Sequence, residues 1–338
     1  MMLNNYDLSP IIKKIQAADS IILSTHKQCD GDGLGAALGL YHALKKINKK
    51  VRVMLVDEPA DKYHFFFKKK DLDIFESPHE PIEQTDLTLI FDTNDRRLIE
   101  PLYSQLEEKC SEILFVDHHP VLKEGPLPPD GSFIDVRAAS TGELSYFIIK
   151  GLDIELDKKI ARCLYASIAF DTQIFKYVKN LPNSMLIAAD LLKHEAAPED
   201  IHQNLFASYS KNKLHFLGAV LGSVEYFNND QISILIIPKS VADKFQLSGD
   251  DTRDVIDMLM NVKTVEVAAF LRETDKNSYK LSLRSKGRLP ILNIAESFGG
   301  GGHLYAAGAS IQGNVTEIKS DIVKVFNSHI EDDIKSNS

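Results

Sequence analysis

The chain has 338 residues and a formal net charge of −9 at pH 7. This length is typical of two domains, and the 44% share of hydrophobic residues provides apolar material for two cores. The negative charge argues against binding of long duplex nucleic acid, because that affinity comes from basic patches that release counterions. A short anionic substrate stays compatible with this charge if bound metal ions supply local positive charge.

The chain contains three cysteines, Cys29, Cys110 and Cys163, at wide spacings. An odd, scattered set is unlike a disulfide framework or a thiolate zinc site, and it favours a reducing compartment. The N-terminal residues have no secretion signal pattern, and no run approaches the roughly 18 apolar residues of a membrane span. These features predict a cytoplasmic protein that has no membrane partner.

Short apolar runs alternate with segments of helical period between Ser20 and Ser145. Four of these runs have the composition of buried strands: Ile21–Ser24, Val51–Val56, Leu87–Phe91 and Ile113–Val116. Strands that alternate with helices predict an α/β fold with a parallel sheet that is covered by helices on both faces. Ligands of such sheets bind at the carboxyl ends of the strands, where loops converge.

The segment from Asp157 to about Phe227 has a mainly helical pattern, in which Pro182 and Pro198 start or break helices. After it, the pattern changes to short strands and helices, which predict a smaller α+β second domain. The predicted elements of that domain are a strand Ile232–Ile237, a helix Asp251–Met260, a strand pair Val265–Arg272 and Lys280–Arg284, and a helix Ile291–Phe298. The polar tail beyond Ile330 is expected to be frayed.

The first predicted strand runs into a glycine-rich turn that carries His26, Asp30 and Asp32. Imidazole nitrogen and carboxylate oxygen are donors that hard and borderline divalent metals accept, and alternate residues of a turn can face different ions. Glycines in the turn would let the backbone approach closely. The alternative is a surface turn that caps the following helix, which this motif alone does not exclude.

Two further predicted strands end in polar residues at the same edge of the sheet. Asp92 follows the third strand, where a helix N-cap would also explain it. Asp117, His118 and His119 follow the fourth strand, and two adjacent histidines after an aspartate are hard to explain by packing. One imidazole can bind a metal while the other meets substrate, and an aspartate beside a ligating histidine often orients it.

Asp171 ends an apolar helical run, where an unpaired charge would be costly, although a cap or a salt bridge would also satisfy it. The candidate metal ligands are together a mixed set of carboxylates and imidazoles: His26, Asp30, Asp32, Asp92, His118 and Asp171. Such a set holds two divalent cations about 3.5–4 Å apart, which acidify a bridging water and neutralise phosphoryl oxygens. His119 is then placed to contact the scissile phosphate or to protonate the leaving oxygen.

In the second domain a predicted strand carries Arg284, and a glycine run leads directly to His303. An arginine fork suits phosphate, and consecutive glycines can present backbone N–H groups to an anion. The residues of this predicted phosphate-binding element are Arg284, Gly300, Gly301, Gly302 and His303. A flexible linker would also explain the glycines, but linkers rarely run straight into a histidine and a stretch of small apolar residues.

The order and spacing of the four metal-binding motifs resemble those of the DHH phosphoesterase superfamily. These motifs are the His-x-x-x-Asp-x-Asp turn, the strand-end Asp92, the triplet Asp117-His118-His119, and Asp171. The Gly-Gly-Gly-His element resembles the C-terminal domain associated with that superfamily, so the resemblance covers nearly the whole chain. It is strongest to the branch of bacterial nano-RNases that also dephosphorylate 3′-phosphoadenosine 5′-phosphate. One departure is Gln28-Cys29, where that branch commonly has Asn-Pro.

The predicted fold is therefore α/β, with a parallel-sheet catalytic domain (1–195), a helical linker (196–228) and a smaller α+β substrate-binding domain (229–335). The resemblance implies an active site in the cleft between the two domains. It also implies a short oligonucleotide or small nucleotide as substrate, and a homodimer.

The resemblance assigns the site residues as follows. His26, Asp30 and Asp92 would bind one cation, while Asp32, Asp92, His118 and Asp171 would bind the other. Mn²⁺ is the expected metal, and Mg²⁺ and Co²⁺ are alternatives. Catalytic roles fall to His119, which would face substrate, and to its neighbour Asp117, while Arg284 and His303 would hold the terminal phosphate of the substrate.

The implied activity is hydrolysis of short oligoribonucleotides to 5′-mononucleotides, together with conversion of 3′-phosphoadenosine 5′-phosphate to AMP. The main alternative is a phosphodiesterase of cyclic di-AMP or its linear dimer, which would use the same metal centre. Lesser alternatives are an inorganic pyrophosphatase and a nucleotide sensor without activity. The sequence does not separate the first two, because no motif reports on contacts to the bases.

Overall fold

The computed structural model describes residues 7–77, 81–122, 125–179, 181–207, 209–245 and 253–336, without the side chains of residues 253, 254, 303 and 331–336. The chain divides into two compact units, Met1–Ser208 and Tyr209–Ser338. Each unit has its own sheet and its own buried core.

The first unit is built on a parallel sheet. Its strands in the described residues are β1 (Ser20–Thr25), β2 (Lys50–Leu55), β3 (Asp73–Ile74), β4 (Thr85–Phe91), β5 (Cys110–Asp117) and β6 (Phe133–Ile134). They lie in the order β3-β2-β1-β4-β5-β6, and every pair is parallel. The four predicted strands correspond to β1, β2, β4 and β5, so the predicted parallel α/β domain is confirmed.

Helices cover both faces of this sheet. They are α1 (Ser9–Ala17), α2 (Gly31–Lys46), α3 (Leu102–Lys109), α4 (Thr141–Gly151), α5 (Lys158–Asp171), α6 (Asn183–Leu192) and α7 (Pro198–Leu205), with short 3₁₀ helices at Asp61–Tyr63, Lys69–Asp71 and Arg96–Ile99. Successive side chains of β1 alternate between faces, so Ile21 and Leu23 join the larger apolar cluster with α2, α4 and α5, and Ile22 joins a smaller one with α3. None of the helices in the described parts of the chain has both the length and the apolar composition needed to cross a bilayer.

The glycines of the first motif serve the packing of α2. A Cβ atom on Gly33 would lie 2.1 Å from Thr25 Oγ1, and one on Gly35 would lie 2.6 Å from the Cys163 carbonyl oxygen. Side chains at these positions would therefore push α2 away from β1 and α5. The close approach fixes the first turn of α2, which carries Asp32, against the ends of the neighbouring elements.

The second unit has a mixed sheet. Its strands in the described residues are β7 (Glu225–Phe227), β8 (Ile232–Ile237), β9 (Val267–Asp275), β10 (Ser278–Ser285), β11 (Gly301–His303) and β12 (Ala306–Gln312). They lie in the order β11-β12-β10-β9-β8-β7, where β8 and β9 are parallel and the other neighbours are antiparallel. The predicted smaller α+β domain is confirmed.

Helices also cover both faces of the second sheet. They are α8 (Lys211–Val220), α9 (Lys239–Lys244), α10 (Arg253–Met260), α11 (Leu292–Ser297) and α12 (Val315–Ser336), with a 3₁₀ helix at Leu221–Ser223. Helices α11 and α12 pack on one face, and α8 and α10 pack on the other. The expectation of a frayed tail beyond Ile330 is wrong, because α12 continues to Ser336. Asp251, the predicted first residue of a helix, lies outside the described residues.

Residues 196–228, predicted as a helical linker, contain α7 and α8. Ile201 and Leu205 of α7 are buried in the core of the first unit. Phe216 and Leu217 of α8 are buried in a core cluster of the second unit. Each of these helices is therefore held by apolar contacts within its own unit.

Two residues of the glycine run are required by strand packing. A Cβ atom on Gly300 would lie 2.0 Å from the Gly308 carbonyl oxygen, and one on Gly302 would lie 2.6 Å from the Ala306 carbonyl oxygen. A Cβ atom on Gly301 would meet nothing within 4 Å. The absence of side chains at Gly300 and Gly302 thus has a structural cause, independent of any ligand.

Gly300→Ala is expected to destabilise the second unit by about 1–3 kcal/mol, because the added methyl group overlaps a backbone oxygen that cannot rotate away. Gly301→Ala is the matched control and should leave the melting temperature nearly unchanged. Thermal unfolding of the full chain by calorimetry measures both effects. Equal stability of the two variants would contradict this assignment.

Candidate metal centre

The polar residues predicted at the strand ends meet at one edge of the first sheet. His26 directly follows β1, Asp92 directly follows β4, and Asp117 is the last residue of β5. These strands are neighbours and parallel, so their carboxyl ends lie side by side. Asp92 has a positive φ of 63°, and its backbone N–H donates to the Val116 carbonyl oxygen at 3.0 Å. This turn directs the Asp92 carboxylate into the edge.

All six predicted metal ligands take part in clusters of donor atoms that lie within 4.8 Å of one another. Within the described residues, these clusters are His26–Asp30–Asp92, Asp32–His118–Asp171 and Asp92–His118–His119. Asp92 and His118 each belong to two of these clusters, so they link the three groups. The edge therefore gathers side chains from four separate stretches of the chain.

Three carboxylates surround one histidine nitrogen. His118 Nε2 lies 3.4 Å from Asp171 Oδ2, 3.6 Å from Asp32 Oδ2 and 3.6 Å from Asp92 Oδ1. Ligand atoms that share one cation at bond lengths of about 2.1 Å are separated by about 3.0–3.4 Å, so these spacings are close to those of a coordination shell. They are longer than the usual hydrogen-bond distance of about 2.9 Å.

The two candidate histidine ligands have the tautomer that metal binding requires. His118 Nδ1 lies 3.2 Å from the Ala138 carbonyl oxygen, and His26 Nδ1 lies 2.9 Å from the Lys27 carbonyl oxygen. A carbonyl oxygen only accepts hydrogen bonds, so each contact assigns a proton to Nδ1, and in the neutral ring Nε2 then carries the lone pair. The two Nε2 atoms approach Asp92 at 3.6 and 3.7 Å. This donor set fits divalent cations.

The N-terminus of α4 holds the Asp32 carboxylate in place. The backbone N–H of Thr141 donates to Asp32 Oδ2 at 2.8 Å, and that of Gly142 donates to Oδ1 at 3.1 Å. The Ser167 hydroxyl also donates to Oδ1, and the Thr141 hydroxyl donates to Asp92 Oδ1 at 3.0 Å. Sequence reasoning missed these residues, and the only signal was a Ser-Thr-Gly helix start after β6.

Asp117 orients the loop that carries both histidines. Its Oδ1 accepts hydrogen bonds from the His118 backbone N–H and from His119 Nδ1, each at 2.8 Å. Its Oδ2 accepts a hydrogen bond from Asn94 Nδ2 at 2.6 Å. His118 is buried, whereas the His119 side chain is 35% exposed. The two rings are therefore suited to different tasks, with His118 facing the carboxylates and His119 accessible to a ligand.

The carboxylates of this edge favour their protonated forms when no cation is bound. The pKa of Asp32 is raised well above its usual value, mainly by burial and next by the charge of Asp171. The pKa of Asp92 is also raised well above its usual value, mainly by burial and next by the charge of Asp32. Burial also raises the pKa of Asp171 to about 7. For His119, burial alone would lower the pKa, but the hydrogen bond and charge of Asp117 outweigh it and raise the pKa.

The predicted phosphate-binding residues lie together within the second unit. Arg284 of β10 is in register with Ala306 of β12, which is in register with His303 of β11. Gly301 and Gly302 precede His303 on the same strand. The Arg284 guanidinium has its Nε 3.6 Å from Asp257 Oδ1, while the side chain of His303 lies outside the described residues.

Comparison with protein families agrees with this site. The model of the DHH family N-terminal domain matches residues 20–168, and that of the DHHA1 domain matches residues 230–332. The chain belongs to the DHH phosphoesterases, and it is a metal-dependent phosphoesterase with a DHHA1 domain as its second domain.

Two relatives of this chain carry the same protein name. The bifunctional oligoribonuclease and PAP phosphatase NrnA of Bacillus subtilis is 26% identical, over 89% of this chain and 92% of that protein. The protein of the same name from Thermus thermophilus is also 26% identical, over 90% of this chain and 88% of that protein.

Two solved structures share the fold. An exopolyphosphatase-related protein from Bacteroides fragilis superimposes with a TM-score of 0.84 at 28% identity, covering 96% of this chain and 95% of that chain. The exonuclease RecJ bound to manganese gives a TM-score of 0.58 at 14% identity, covering 99% of this chain and 98% of that chain. The second likeness concerns the fold alone.

The pKa of Asp171 is 3.8 in its usual state and about 7 in the folded protein. The metal-free protein is therefore expected to lose stability as the pH rises from 3.8 to about 7. In this window the unfolded state has released a proton that the folded state still holds, so ionisation favours unfolding. Melting temperatures in EDTA at pH 5 and pH 8 measure the trend, and Asp171→Asn should weaken it because its side chain cannot ionise. An identical pH dependence in wild type and Asp171→Asn would contradict this expectation.

Mn²⁺ should raise the melting temperature more at pH 8 than at pH 5, since ligation needs ionised carboxylates.

Proposed function

We propose that this protein hydrolyses short oligoribonucleotides to 5′-mononucleotides and converts 3′-phosphoadenosine 5′-phosphate to AMP. The observation that carries the proposal is the pair of histidine Nε2 atoms that approach the buried Asp92 carboxylate among three further aspartates. The relatives named NrnA, which align over most of their length, support the choice of substrate. The net charge of −9 agrees with a short substrate rather than a long duplex.

Two divalent cations are the proposed cofactors, with Mn²⁺ as the expected metal and Mg²⁺ or Co²⁺ as alternatives. Mixed imidazole and carboxylate donors suit these metals, and the described clusters contain no thiolate. His26, Asp30 and Asp92 are the proposed ligands of one ion. The proposed ligands of the other ion are Asp32, Asp92, His118 and Asp171. When bound, such ions neutralise phosphoryl oxygens and lower the pKa of a water that attacks phosphorus.

His119 is the proposed catalytic acid or phosphate contact. Its Nδ1 donates to Asp117 Oδ1, and Nε2 is the ring nitrogen that we propose meets the substrate. The hydrogen bond and charge of Asp117 raise the pKa of His119, which shifts the ring toward the imidazolium form, in which Nε2 can donate a proton or a hydrogen bond. Asp117 holds the ring orientation and stabilises its positive charge.

In the second unit, Arg284 and His303 are the proposed contacts to a substrate phosphate. Their backbone positions lie in one row across three strands, which supports a joint role. Gly301 has open space around its Cα and suits close approach of an anion, while Gly300 and Gly302 flank it. We further propose a cytoplasmic homodimer that acts on short oligonucleotides or small nucleotides. Light scattering of the purified chain measures its subunit number.

Purified protein with Mn²⁺ is expected to hydrolyse diadenylate and 3′-phosphoadenosine 5′-phosphate faster than cyclic di-AMP or pyrophosphate. Asp92→Asn should lower kcat at least about 100-fold on both favoured substrates, because Asp92 faces both candidate histidine ligands. Initial rates under one set of conditions measure these differences.

The control is Asp130→Asn, which changes an exposed aspartate of the same unit and should leave the rates unchanged. Faster turnover of cyclic di-AMP or pyrophosphate would replace the proposed substrate class. Full activity of Asp92→Asn would refute the metal assignment.

Arg284→Gln is expected to raise KM for 3′-phosphoadenosine 5′-phosphate about 10-fold, because an amide replaces a charged fork at the phosphate. Arg288→Gln is the matched control, since Arg288 is 68% exposed and lies on the same stretch of chain. Steady-state kinetics with saturating Mn²⁺ separates KM from kcat. An unchanged KM in Arg284→Gln would remove Arg284 from the proposed binding site.

A further inference from the structure

The segment that follows α5 returns to the candidate metal centre at Lys179. Helix α5 ends at Asp171, and eight residues later Lys179 Nζ donates to the carbonyl oxygens of Val136 at 3.0 Å and Ala138 at 2.7 Å. Both carbonyl groups belong to the loop before α4. One lysine thus links the chain that leaves Asp171 to the loop that supports His118.

The same carbonyl group supports His118. The Ala138 oxygen accepts hydrogen bonds from Lys179 Nζ and from His118 Nδ1, the second at 3.2 Å. Lys179 Nζ lies 3.5 Å from His118 Nδ1, whereas the other ring nitrogen, Nε2, faces the aspartates. Lys179 therefore contacts the part of a candidate ligand that includes Nδ1 and its carbonyl partner.

The backbone between the two ends of this segment is held in an unfavourable conformation. Gln173, Ile174 and Phe175 have φ angles of 48°, 57° and 62°, which are costly for residues with side chains and most of all for the β-branched Ile174. Hydrogen bonds to Thr172 hold the turn, from the Phe175 N–H to its hydroxyl and from the Tyr177 N–H to its carbonyl oxygen. Such a backbone persists only where surrounding contacts hold it. Lys179 supplies contacts at the C-terminal end of the segment that contains this turn.

We infer that Lys179 is a positioning residue of the metal site formed by Asp32, His118 and Asp171. It fixes the Ala138 carbonyl group that sets the tautomer and orientation of His118, and it holds the segment leaving Asp171 against that loop. This inference rests on the metal centre of the proposed function. Partners that orient a ligating histidine typically contribute 10–100-fold to metal affinity.

The charge of Lys179 has the opposite effect on a cation. An ammonium group next to a ligand repels a bound metal ion, so a purely electrostatic role would weaken metal binding. Removal of the lysine would then tighten binding, whereas removal of a positioning residue loosens it. The sign of the change in affinity therefore distinguishes the two roles.

The test is a calorimetric titration of the full-length, metal-free chain with Mn²⁺. Lys179→Met keeps the length of the side chain but removes its donors and charge, and it should weaken one of the two Mn²⁺ binding events about 10–100-fold. The event at the other site, whose proposed ligands include His26 and Asp30, should be weakened less, because Lys179 contacts the His118 side of the shared ligand Asp92. That second event is an internal check that the variant is folded.

Two companion variants complete the experiment. Lys179→Arg retains donors and charge and should restore most of the lost affinity. Lys176→Met removes an exposed lysine of the same segment, whose Nζ lies over the Tyr177 ring, and should bind Mn²⁺ as wild type does.

Tighter or unchanged Mn²⁺ binding by Lys179→Met overturns the inference, as does equal weakening of both events. The readout is separate from turnover. If wild type binds two Mn²⁺ ions but hydrolyses none of the nucleotides, the proposed substrate fails while the role of Lys179 is still decided. If wild type binds no Mn²⁺, both the metal centre and the inference fail.

Discussion

Repulsion among closely spaced carboxylates is the constraint on which the first unit depends. Asp32 and Asp92 are buried, and Asp171 joins them around His118 Nε2. Burial strengthens repulsion between like charges, because a protein interior screens charges less than water does. A divalent cation bound at these candidate ligands would replace this repulsion by attraction, so groups that destabilise the metal-free protein would stabilise the metal-bound one. Metal binding and folding stability are therefore coupled at this edge of the sheet.

The scaffold offsets part of the repulsion with neutral donors. The first N–H groups of α4 donate to Asp32, and the positive end of a helix dipole favours an anion at this position. The geometry depends on apolar packing, because the small residues Gly33 and Gly35 let α2 lie close to β1 and α5. The direction of the Asp32 carboxylate, a candidate metal ligand, is thus set by the helix packing that its neighbouring glycines allow.

Adjacent histidines receive different properties from their partners. His118 directs Nδ1 to a backbone carbonyl group, so that Nε2 is the nitrogen that faces the aspartates as a candidate ligand. His119 pairs with the carboxylate of Asp117, which favours the charged ring. Asp117 also binds the backbone of His118, so one carboxylate fixes both positions. The division of roles within the Asp-His-His triplet follows from these contacts.

The sequence by itself determined most of the long strands and the polar residues at the ends of β1, β4 and β5, because apolar runs are local and parallel strands place their carboxyl ends at one edge. It did not predict β12 (Ala306–Gln312), whose small residues show no clear strand period. The tertiary structure alone decided the two-residue strands β3 and β6, which are too short to show a period and form only beside a neighbouring strand. It also decided the contacts of Thr141 and Ser167 to Asp32, which lies 109 and 135 residues away in the chain. The glycine run was predicted from composition as an anion cradle, but only the pairing with β12 showed that Gly300 is needed for packing. Local periodicity is encoded in adjacent residues, whereas contacts between distant segments depend on which surfaces meet in the fold.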